Sequence, residues 1–255
     1  MSSCHTCDRR IRQLQRGHLH EEEASEPGRG VPLIDYRGIL KEEAEPDYRD
    51  FTSKLIPGKE GILGVRIPKV RALAKTIIKD DWESFLEEKP TCFEEEVLKG
   101  LVIATAPMDV ERRLEYTESF LDTIDNWSTC DSFCSSWKFS KKDSERIHSY
   151  FESLIDSGKE FRMRVSVVFR MAHFIDDEHV DKLLADIESY RNEGYYYKMG
   201  AAWTASFCYI KYPERTMAVL KHGRMDDWVY RKTIQKICES YRVSDEDKAV
   251  LKSMR

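Results

Sequence analysis

The sequence predicts an all-α protein, specifically an α-solenoid assembled from two-helix repeats, on three observations. Apolar residues recur at steps of three and four from about Leu40 onward, which is the period of an amphipathic helix. Polar positions recur every 33 or 34 residues, the length of a two-helix repeat unit. No turn of the Asn-Gly type joins runs of alternating polarity, so β-hairpins are not indicated.

Individual helices are marked by apolar stripes along one face and by capping residues at their ends. The stripes are Phe93, Val97, Leu101 and Ala104; Phe161, Val165, Val168 and Ala172; and Trp228, Ile234 and Ile237. The end signals are Asp80-Asp81 before Trp82, Ser140 before a charged helix, Ser157-Gly158 at a helix end, and Ser244 before Glu246. The run Arg164–Phe169 contains three valines, but it lies inside a longer helical pattern, so we predict that it is helical.

The repeat is defined by four polar residues, each in the first half of a predicted helix. Asp131, Arg164, Lys198 and Arg231 are separated by 33, 34 and 33 residues. Second helices such as Asp177–Tyr190 lie between them. Stacked repeats align equivalent positions along one side, so we expect these four residues to share one concave surface. Chance spacing of surface charges is the alternative.

Composition excludes several classes of protein. The 255 residues carry 41 Lys and Arg against 46 Asp and Glu, a net charge of −5. This excludes a globally basic nucleic-acid coat protein, but it leaves room for a local basic groove. The most apolar run, Leu101–Pro107, is far shorter than the roughly 20 residues that span a bilayer, so no membrane association is expected.

The chain divides into a tail and one domain. Residues 1–32 have almost no periodic apolar pattern and are predicted to be a disordered tail, whereas residues 33–255 form the repeat domain. The tail also holds a possible zinc-binding set: Cys4, Cys7, His18 and His20. Their spacing matches no common zinc finger, so the disordered tail is the favoured interpretation and no metal is expected.

Cysteine usage and the N-terminal segment indicate an intracellular protein. Seven cysteines is an odd number in a chain too long to need disulfides, and the polar N-terminus has no apolar secretory segment. We therefore expect reduced thiols and a cytoplasmic location, associated with the nucleoid in a bacterium. Cys130 and Cys134, one helical turn apart, are predicted to be two buried thiols rather than a redox pair.

Common catalytic motifs are absent from the sequence. It has no Gly-rich phosphate loop, no His-Glu-x-x-His and no Gly-x-Ser-x-Gly, so nucleotide hydrolysis, zinc proteolysis and serine hydrolysis are unsupported. His148, His173 and His222 lack neighbours at ligand spacing and are predicted to be surface or packed residues. No cofactor is expected.

Trp127 and Asp131 suggest a site for a cation. They are four residues apart, so on a helix they lie on one face, one turn apart. An aromatic ring beside a carboxylate suits a flat, positively charged ligand. Trp203 lies on another predicted helix among small residues such as Gly200 and Ala205, which let a second surface come close. Core packing of both tryptophans is the alternative.

Four segments carry a resemblance to a known family. They are Leu63-Gly64-Val65-Arg66-Ile67-Pro68-Lys69-Val70-Arg71, Trp127-Ser128-Thr129-Cys130-Asp131, Phe161-Arg162-Met163-Arg164-Val165-Ser166-Val167, and Lys198-Met199-Gly200-Ala201-Ala202-Trp203. In this order they resemble the AlkD-type DNA alkylation repair family, which are alkylpurine DNA glycosylases with HEAT-like repeats. Arg231-Lys232-Thr233-Ile234 is similar to the family's closing helix, and the likeness runs from about residue 45 to 240.

The resemblance implies a C-shaped solenoid that binds duplex DNA in its concave face and hydrolyses the N-glycosidic bond of cationic N3- or N7-alkylated purines. It assigns catalytic roles by motif. Trp127 and Trp203 would pack against the deoxyribose of the lesion, Asp131 would stabilise the cationic sugar and position water, and Arg164 would hold the DNA backbone. The enzyme would be monofunctional, would act in base excision repair and would work as a monomer.

Some positions depart from the family pattern. Asn126 stands where relatives often carry an aromatic residue, and Met163 where a polar residue is common. The linker before Leu63 is longer than in the family pattern. The position of the aromatic residue that approaches the lesion from the first helices is therefore not fixed by alignment, and Phe51 and Tyr48 are the two candidates. The residues expected to contact DNA are Arg66, Lys69, Lys198 and Arg231. Three basic clusters offset the acidic balance locally: Lys69, Arg71 and Lys75; Lys138, Lys141 and Lys142; and Arg224, Arg231 and Lys232.

Two other functions remain open from the sequence. One is a non-catalytic HEAT-like module that binds damaged or branched DNA, because a groove lined by basic residues needs no chemistry for that purpose. The other is a protein-interaction scaffold, which the acidic balance and the general use of such folds would suit.

Overall fold

The computed structural model describes residues 34–254, and all regular secondary structure in this range is helical. Fourteen α-helices follow one another along the chain: α1 Tyr36–Glu42, α2 Pro46–Leu55, α3 Ile67–Ile77, α4 Trp82–Glu87, α5 Phe93–Thr105, α6 Val110–Leu121, α7 Trp127–Ser136, α8 Ser144–Ser153, α9 Glu160–His173, α10 Val180–Ser189, α11 Tyr195–Lys211, α12 Pro213–His222, α13 Asp227–Glu239 and α14 Asp245–Ser253. Two short 3₁₀ helices, Lys141–Asp143 and Leu154–Ser157, flank α8. The predicted all-α class is confirmed.

The helices alternate between two series. Each odd-numbered helix from α3 to α11 packs against the next odd-numbered helix, while the even-numbered helices from α4 to α14 pack beside them. The buried apolar side chains form one continuous core that runs from Tyr36 to Leu251. This alternation is what an α-solenoid requires. The HEAT-like character of the repeats and a C-shaped curvature stay predictions.

The four residues of the predicted repeat fall on consecutive members of the odd-numbered series. Asp131 lies on α7, Arg164 on α9, Lys198 on α11 and Arg231 on α13, each four or five residues into its helix. The valine-rich run Arg164–Phe169 lies inside α9, as predicted. The second helix predicted at 177–190 is present as the shorter α10.

Most of the predicted helix ends coincide with caps in the structure. The Asp81 carboxylate accepts the N–H of Ser84 at 3.0 Å and begins α4. The Ser244 hydroxyl accepts the N–H of Asp247 at 3.1 Å and begins α14. Gly158 has a φ of +68° and ends the second 3₁₀ helix, a left-handed conformation that glycine adopts without strain. Ser140 precedes the first 3₁₀ helix rather than a full α-helix, because one 3₁₀ turn, Lys141–Asp143, lies between it and the start of α8.

One buried carboxylate holds the Leu63-Gly64-Val65 motif. The Glu94 side chain accepts the backbone N–H groups of Leu63, Gly64 and Val65 at 2.9, 2.8 and 3.1 Å, and Glu94 is only 1% exposed. Gly64 has a φ of +94°, and a Cβ there would lie 2.5 Å from the carbonyl oxygen of Glu45. The turn before α3 therefore needs both this glycine and this glutamate.

The predicted tail and its possible zinc set, Cys4, Cys7, His18 and His20, lie outside the described residues. Within residues 34–254, no helix is both long enough and apolar enough to cross a membrane.

We expect Glu94→Gln to lower the free energy of unfolding by about 1–3 kcal/mol. A glutamine amide offers one acceptor oxygen and turns an NH₂ group towards the donors, so at least one buried N–H loses its partner. Urea denaturation measures the change. Glu87→Gln is the control, because Glu87 is exposed at the end of α4. Equal stability of the two variants would contradict the role of Glu94.

Candidate active site

The N-terminus of α7, the helix that carries Trp127 and Asp131, is capped by the residue that precedes it. The Asn126 side chain accepts the N–H of Thr129 at 2.9 Å and donates to the Thr129 hydroxyl at 3.0 Å. Asn126 is buried, and asparagine is among the preferred N-cap residues. The departure from the family pattern at this position is thus a helix cap, and it places Trp127 at the first position of α7.

The centre of the site is a buried ion pair between α7 and α9. Arg164 donates from Nε to Asp131 Oδ1 at 3.1 Å and from Nη2 to Oδ1 and Oδ2 at 2.9 and 2.8 Å. The Arg164 side chain is 4% exposed and that of Asp131 is 19% exposed. The carboxylate is therefore the member of the pair that a ligand can reach.

Helix α11 completes the surroundings of Arg164. Nη1 of Arg164 donates to the carbonyl oxygen of Tyr196 at 2.7 Å. A Cβ at Gly200 would lie 3.2 Å from Cγ and 3.4 Å from Nη1 of Arg164, so a glycine there leaves room for the guanidinium. The small residues around Trp203 thus admit a neighbouring side chain, and that side chain is Arg164.

The environment of Asp131 acts on its protonation in two opposite directions. Burial raises the pKa of the Asp131 carboxyl, and the charge and hydrogen bonds of Arg164 oppose that rise. The guanidinium is always charged and contacts both oxygens, so it favours the ionised form of Asp131. The ion pair therefore holds a negative charge where burial alone would disfavour it.

Trp127 is fixed by a hydrogen bond from its indole nitrogen. Nε1 donates to the carbonyl oxygen of Leu55, the last residue of α2, at 3.0 Å. Nearby, Lys59 Nζ lies 2.7 Å from the Glu96 carboxylate and 2.9 Å from that of Asp125. Asp125 directly precedes the cap of α7, so the end of α2 and the segment that follows it are joined to the start of α7 by two contacts, at Leu55 and at Lys59.

A cleft of about 460 Å³ separates the two tryptophans. Trp127 lines one part of it and Trp203 another, together with Arg164 and aromatic residues from the start of α11. One of these, Tyr195, is 57% exposed. The volume lies within the roughly 300–1,000 Å³ typical of ligand pockets. The structure thus brings three of the predicted catalytic residues to one cavity.

Asp131 lines a smaller, adjoining cleft of about 190 Å³. Trp127 and Leu55 border both clefts, and Tyr48 lines the smaller one. Of the two aromatic residues considered for the first helices, Tyr48 therefore shares a cleft with Asp131. Phe51 lines neither cleft, and its side chain is 54% exposed.

Two of the predicted DNA-contacting residues have acidic partners within the protein. Arg66 donates to Glu45 at 2.9 Å, and its guanidinium lies 4.7 Å from the centre of the Tyr48 ring. Lys69 Nζ lies 2.8 Å from Glu43 and 3.0 Å from Glu45. Two carboxylates thus compensate two cations, which reduces what either cation gains from a phosphate.

The other two predicted DNA contacts differ from each other. Lys198 Nζ lies 2.8 Å from Glu193 and 3.6 Å from Asp226. Arg231 is exposed and forms no ion pair within residues 34–254. Of the four, only Arg231 offers an uncompensated charge, although neither cleft includes it.

The remaining predicted positions are part of the interior or its edge. Cys130 and Cys134 are buried free thiols, as predicted. His148 is buried, and His173 hydrogen-bonds through Nε2 to the Cys134 carbonyl at 2.8 Å. Met163, the second departure from the family pattern, is also a buried core residue.

A group of side chains with metal-binding potential lies away from both clefts. Ligand atoms of Glu145, Glu178 and His179 all lie within 4.8 Å of one another. Both glutamates are exposed, and His179 Nδ1 already hydrogen-bonds to Asp176 at 2.7 Å. None of the three lines a cleft, so this group has no place in the site around Asp131.

Sequence patterns gave no indication of two contacts that shape the site. These are the Leu55 carbonyl that accepts from Trp127 and the Tyr196 carbonyl that accepts from Arg164. Backbone acceptors carry no residue-type signal, so only the fold reveals them.

Comparison with known proteins identifies the family of the chain. No curated protein matches the chain. The model of a family described as DNA alkylation repair enzyme matches residues 37–237, which contain the whole of the site around Asp131. The match covers well over half of the chain, and the chain therefore belongs to the DNA alkylation repair enzyme family.

Proposed function

We propose that this protein is a monofunctional DNA glycosylase that releases cationic N3- or N7-alkylated purines from duplex DNA held on the concave face of a HEAT-like solenoid. The observation that carries the proposal is the Asp131 carboxylate, held by Arg164 beside a cleft walled by Trp127 and Trp203. This arrangement provides a fixed anion next to aromatic faces, which suits a ligand that bears or develops positive charge.

The chemistry needs few groups because the lesion is already charged. When the glycosidic C1′–N bond breaks, its electron pair neutralises the cationic purine, which leaves without protonation by a general acid. Positive charge then develops on the deoxyribose, and a nearby carboxylate lowers the energy of that state. Water adds to C1′ and loses one proton, which gives free alkylated base and an abasic sugar.

The two tryptophans and Asp131 take complementary parts in this proposal. Trp127 and Trp203 would contact the sugar through their ring faces, and their π electrons favour the cationic sugar. Asp131 would supply the full negative charge and orient the attacking water. The hydrogen bond from Trp127 to Leu55 keeps that ring in place before the substrate binds, so less ordering is needed on binding.

Arg164 acts in this scheme by positioning Asp131. The family resemblance implied a contact between Arg164 and the DNA backbone, but the side chain is 4% exposed and its donors are directed at Asp131 and the Tyr196 carbonyl. A buried, engaged guanidinium has little to offer a phosphate. Its place in the ion pair supports an indirect role instead.

One observation favours the alternative of a non-catalytic DNA-binding module. Both oxygens of Asp131 accept hydrogen bonds from Arg164, as they would in an ion pair whose purpose is purely structural. The two functions differ in what they require of Asp131. A binding module needs only the ion pair, whereas a glycosylase also needs the exposed part of the carboxylate to face the sugar.

We expect the wild-type protein to release base from duplex DNA that contains N7-methylguanine, and Asp131→Asn to reduce the single-turnover rate by about 10²–10³-fold, the cost of losing one electrostatic group aimed at a developing charge. Asparagine keeps the size of the side chain and removes its charge. DNA affinity, measured in parallel, should stay unchanged.

The control for this variant is its stability, measured by thermal denaturation, because a weakened ion pair could also unfold the protein. A folded Asp131→Asn protein with wild-type activity would refute the role of Asp131. A wild-type protein that binds duplex DNA and releases no base would favour the binding module.

We expect Arg164→Met to move the acid limb of the pH–rate profile to higher pH. Burial raises the pKa of Asp131 and Arg164 opposes that rise, so removal of the guanidinium raises the pKa further. Activity requires the ionised carboxylate, and it is therefore lost at a higher pH as the solution is acidified.

Arg164→Lys is the matched variant, because it keeps a charge while losing the two-point geometry. Its acid limb should lie between those of the wild-type protein and Arg164→Met. A lower rate with an unshifted profile in both variants would mean that Arg164 acts on something other than the protonation of Asp131.

A further inference from the structure

The larger cleft is electropositive although the chain as a whole is acidic. The net charge of the protein is −5, yet the cleft between the tryptophans is lined by three cations, Lys54, Arg164 and Lys236, and by no acidic residue. Arg164 is neutralised by Asp131. The charge that this cleft offers to a ligand therefore comes from the two lysines.

Neither lysine has an acidic partner within residues 34–254. Lys54 is exposed in the last turn of α2, and Lys236 is half-buried in the last turn of α13. No ion pair or hydrogen bond of either Nζ occurs in the described part of the chain. This contrasts with Lys69 and Lys198, which each contact two carboxylates.

The two lysines enter the cleft from opposite ends of the described chain. Lys54 lies one residue before Leu55, whose carbonyl accepts from Trp127. Lys236 shares with Trp203 both this cleft and a second one of about 350 Å³, which Arg242 also lines. The second cleft also contains an acidic residue, Glu239. Its carboxylate accepts a hydrogen bond from Gln235 at 2.7 Å and, within the described residues, forms no ion pair with Lys236. Each tryptophan thus has its own unpaired lysine.

We infer that Lys54 and Lys236 bind the two phosphates on either side of the lesion nucleotide, an inference that rests on the proposed DNA substrate. The sugar that packs between Trp127 and Trp203 carries one phosphodiester on its 5′ side and another on its 3′ side. Each phosphodiester bears one negative charge and meets an uncompensated ammonium group. Helix α2 and helix α13 together then hold the backbone while Asp131 acts on the sugar.

This assignment has a consequence for binding that ion-paired cations would not share. A lysine that neutralises a phosphate releases condensed counterions, and each such contact adds about 0.9 to the steepness of log K against log salt concentration. A cation already paired with a carboxylate contributes less, because the DNA must compete with an internal partner. Salt dependence therefore separates the two kinds of cation.

The test measures affinity of the full chain for undamaged duplex and for duplex with an abasic-site analogue over a series of salt concentrations. We expect Lys54→Ala and Lys236→Ala each to lower the steepness of the salt dependence by about 0.9, and the double variant by about 1.8. Lys54→Arg and Lys236→Arg should keep the wild-type slope because they keep the charge.

Lys252→Ala is the matched control, since Lys252 is exposed on α14. It lines neither the larger cleft nor the cleft of about 350 Å³ that contains Arg242. Slopes for Lys54→Ala and Lys236→Ala that equal those of the wild-type protein and the control would overturn the inference. A wild-type protein that binds no duplex would overturn it as well.

Base release from N7-methylguanine duplex, measured on the same proteins, separates this inference from the proposed activity. Reduced slopes in the two lysine variants, with no base release by the wild-type protein, would support the phosphate contacts and refute the glycosylase. Base release by the wild-type protein with unchanged slopes in both variants would support the glycosylase and refute the phosphate contacts.

Discussion

The site depends on the ion pair between Asp131 and Arg164. It joins α7 to α9 through three hydrogen bonds, and the Tyr196 carbonyl extends it to α11. Removal of one partner from such a buried pair leaves an uncompensated charge, which typically costs about 3–5 kcal/mol. One interaction thus joins three consecutive members of the odd-numbered series and fixes the placement of the carboxylate, and the glycine at position 200 leaves room for the guanidinium beside it.

A second constraint is that hydrogen bonds and ion pairs to carboxylates hold the segment between α2 and α3 in place. Glu94 accepts the N–H groups at 63–65, and Lys59 bridges Glu96 to Asp125. Glu94 and Glu96 belong to the first turn of α5, where the helix dipole also favours negative charge. The longer linker before Leu63 is therefore held in place next to Trp127, whose indole donates to the carbonyl oxygen of Leu55 at the end of α2.

Charge compensation explains how an acidic protein can keep an electropositive cleft. Many basic side chains are matched by local carboxylates, as Lys69 is by Glu43 and Glu45. The larger cleft is an exception, because its lysines have no such partner in the described residues. Net charge therefore says little about this surface, since the field that a ligand meets depends on which cations remain unpaired near it.

The sequence by itself determined the all-α class of the fold and several helix ends, such as those at Asp81 and Ser244. The 33–34-residue spacing placed Asp131, Arg164, Lys198 and Arg231 on consecutive helices of one series, because periodicity and capping are local properties of the chain. Only the tertiary structure decided how these side chains pair. Arg164 turned out to hold Asp131, and Lys198 to contact Glu193 and Asp226. Lys54 and Lys236 had no distinguishing pattern in the sequence, because a lysine is marked as unpaired only by what the fold places around it.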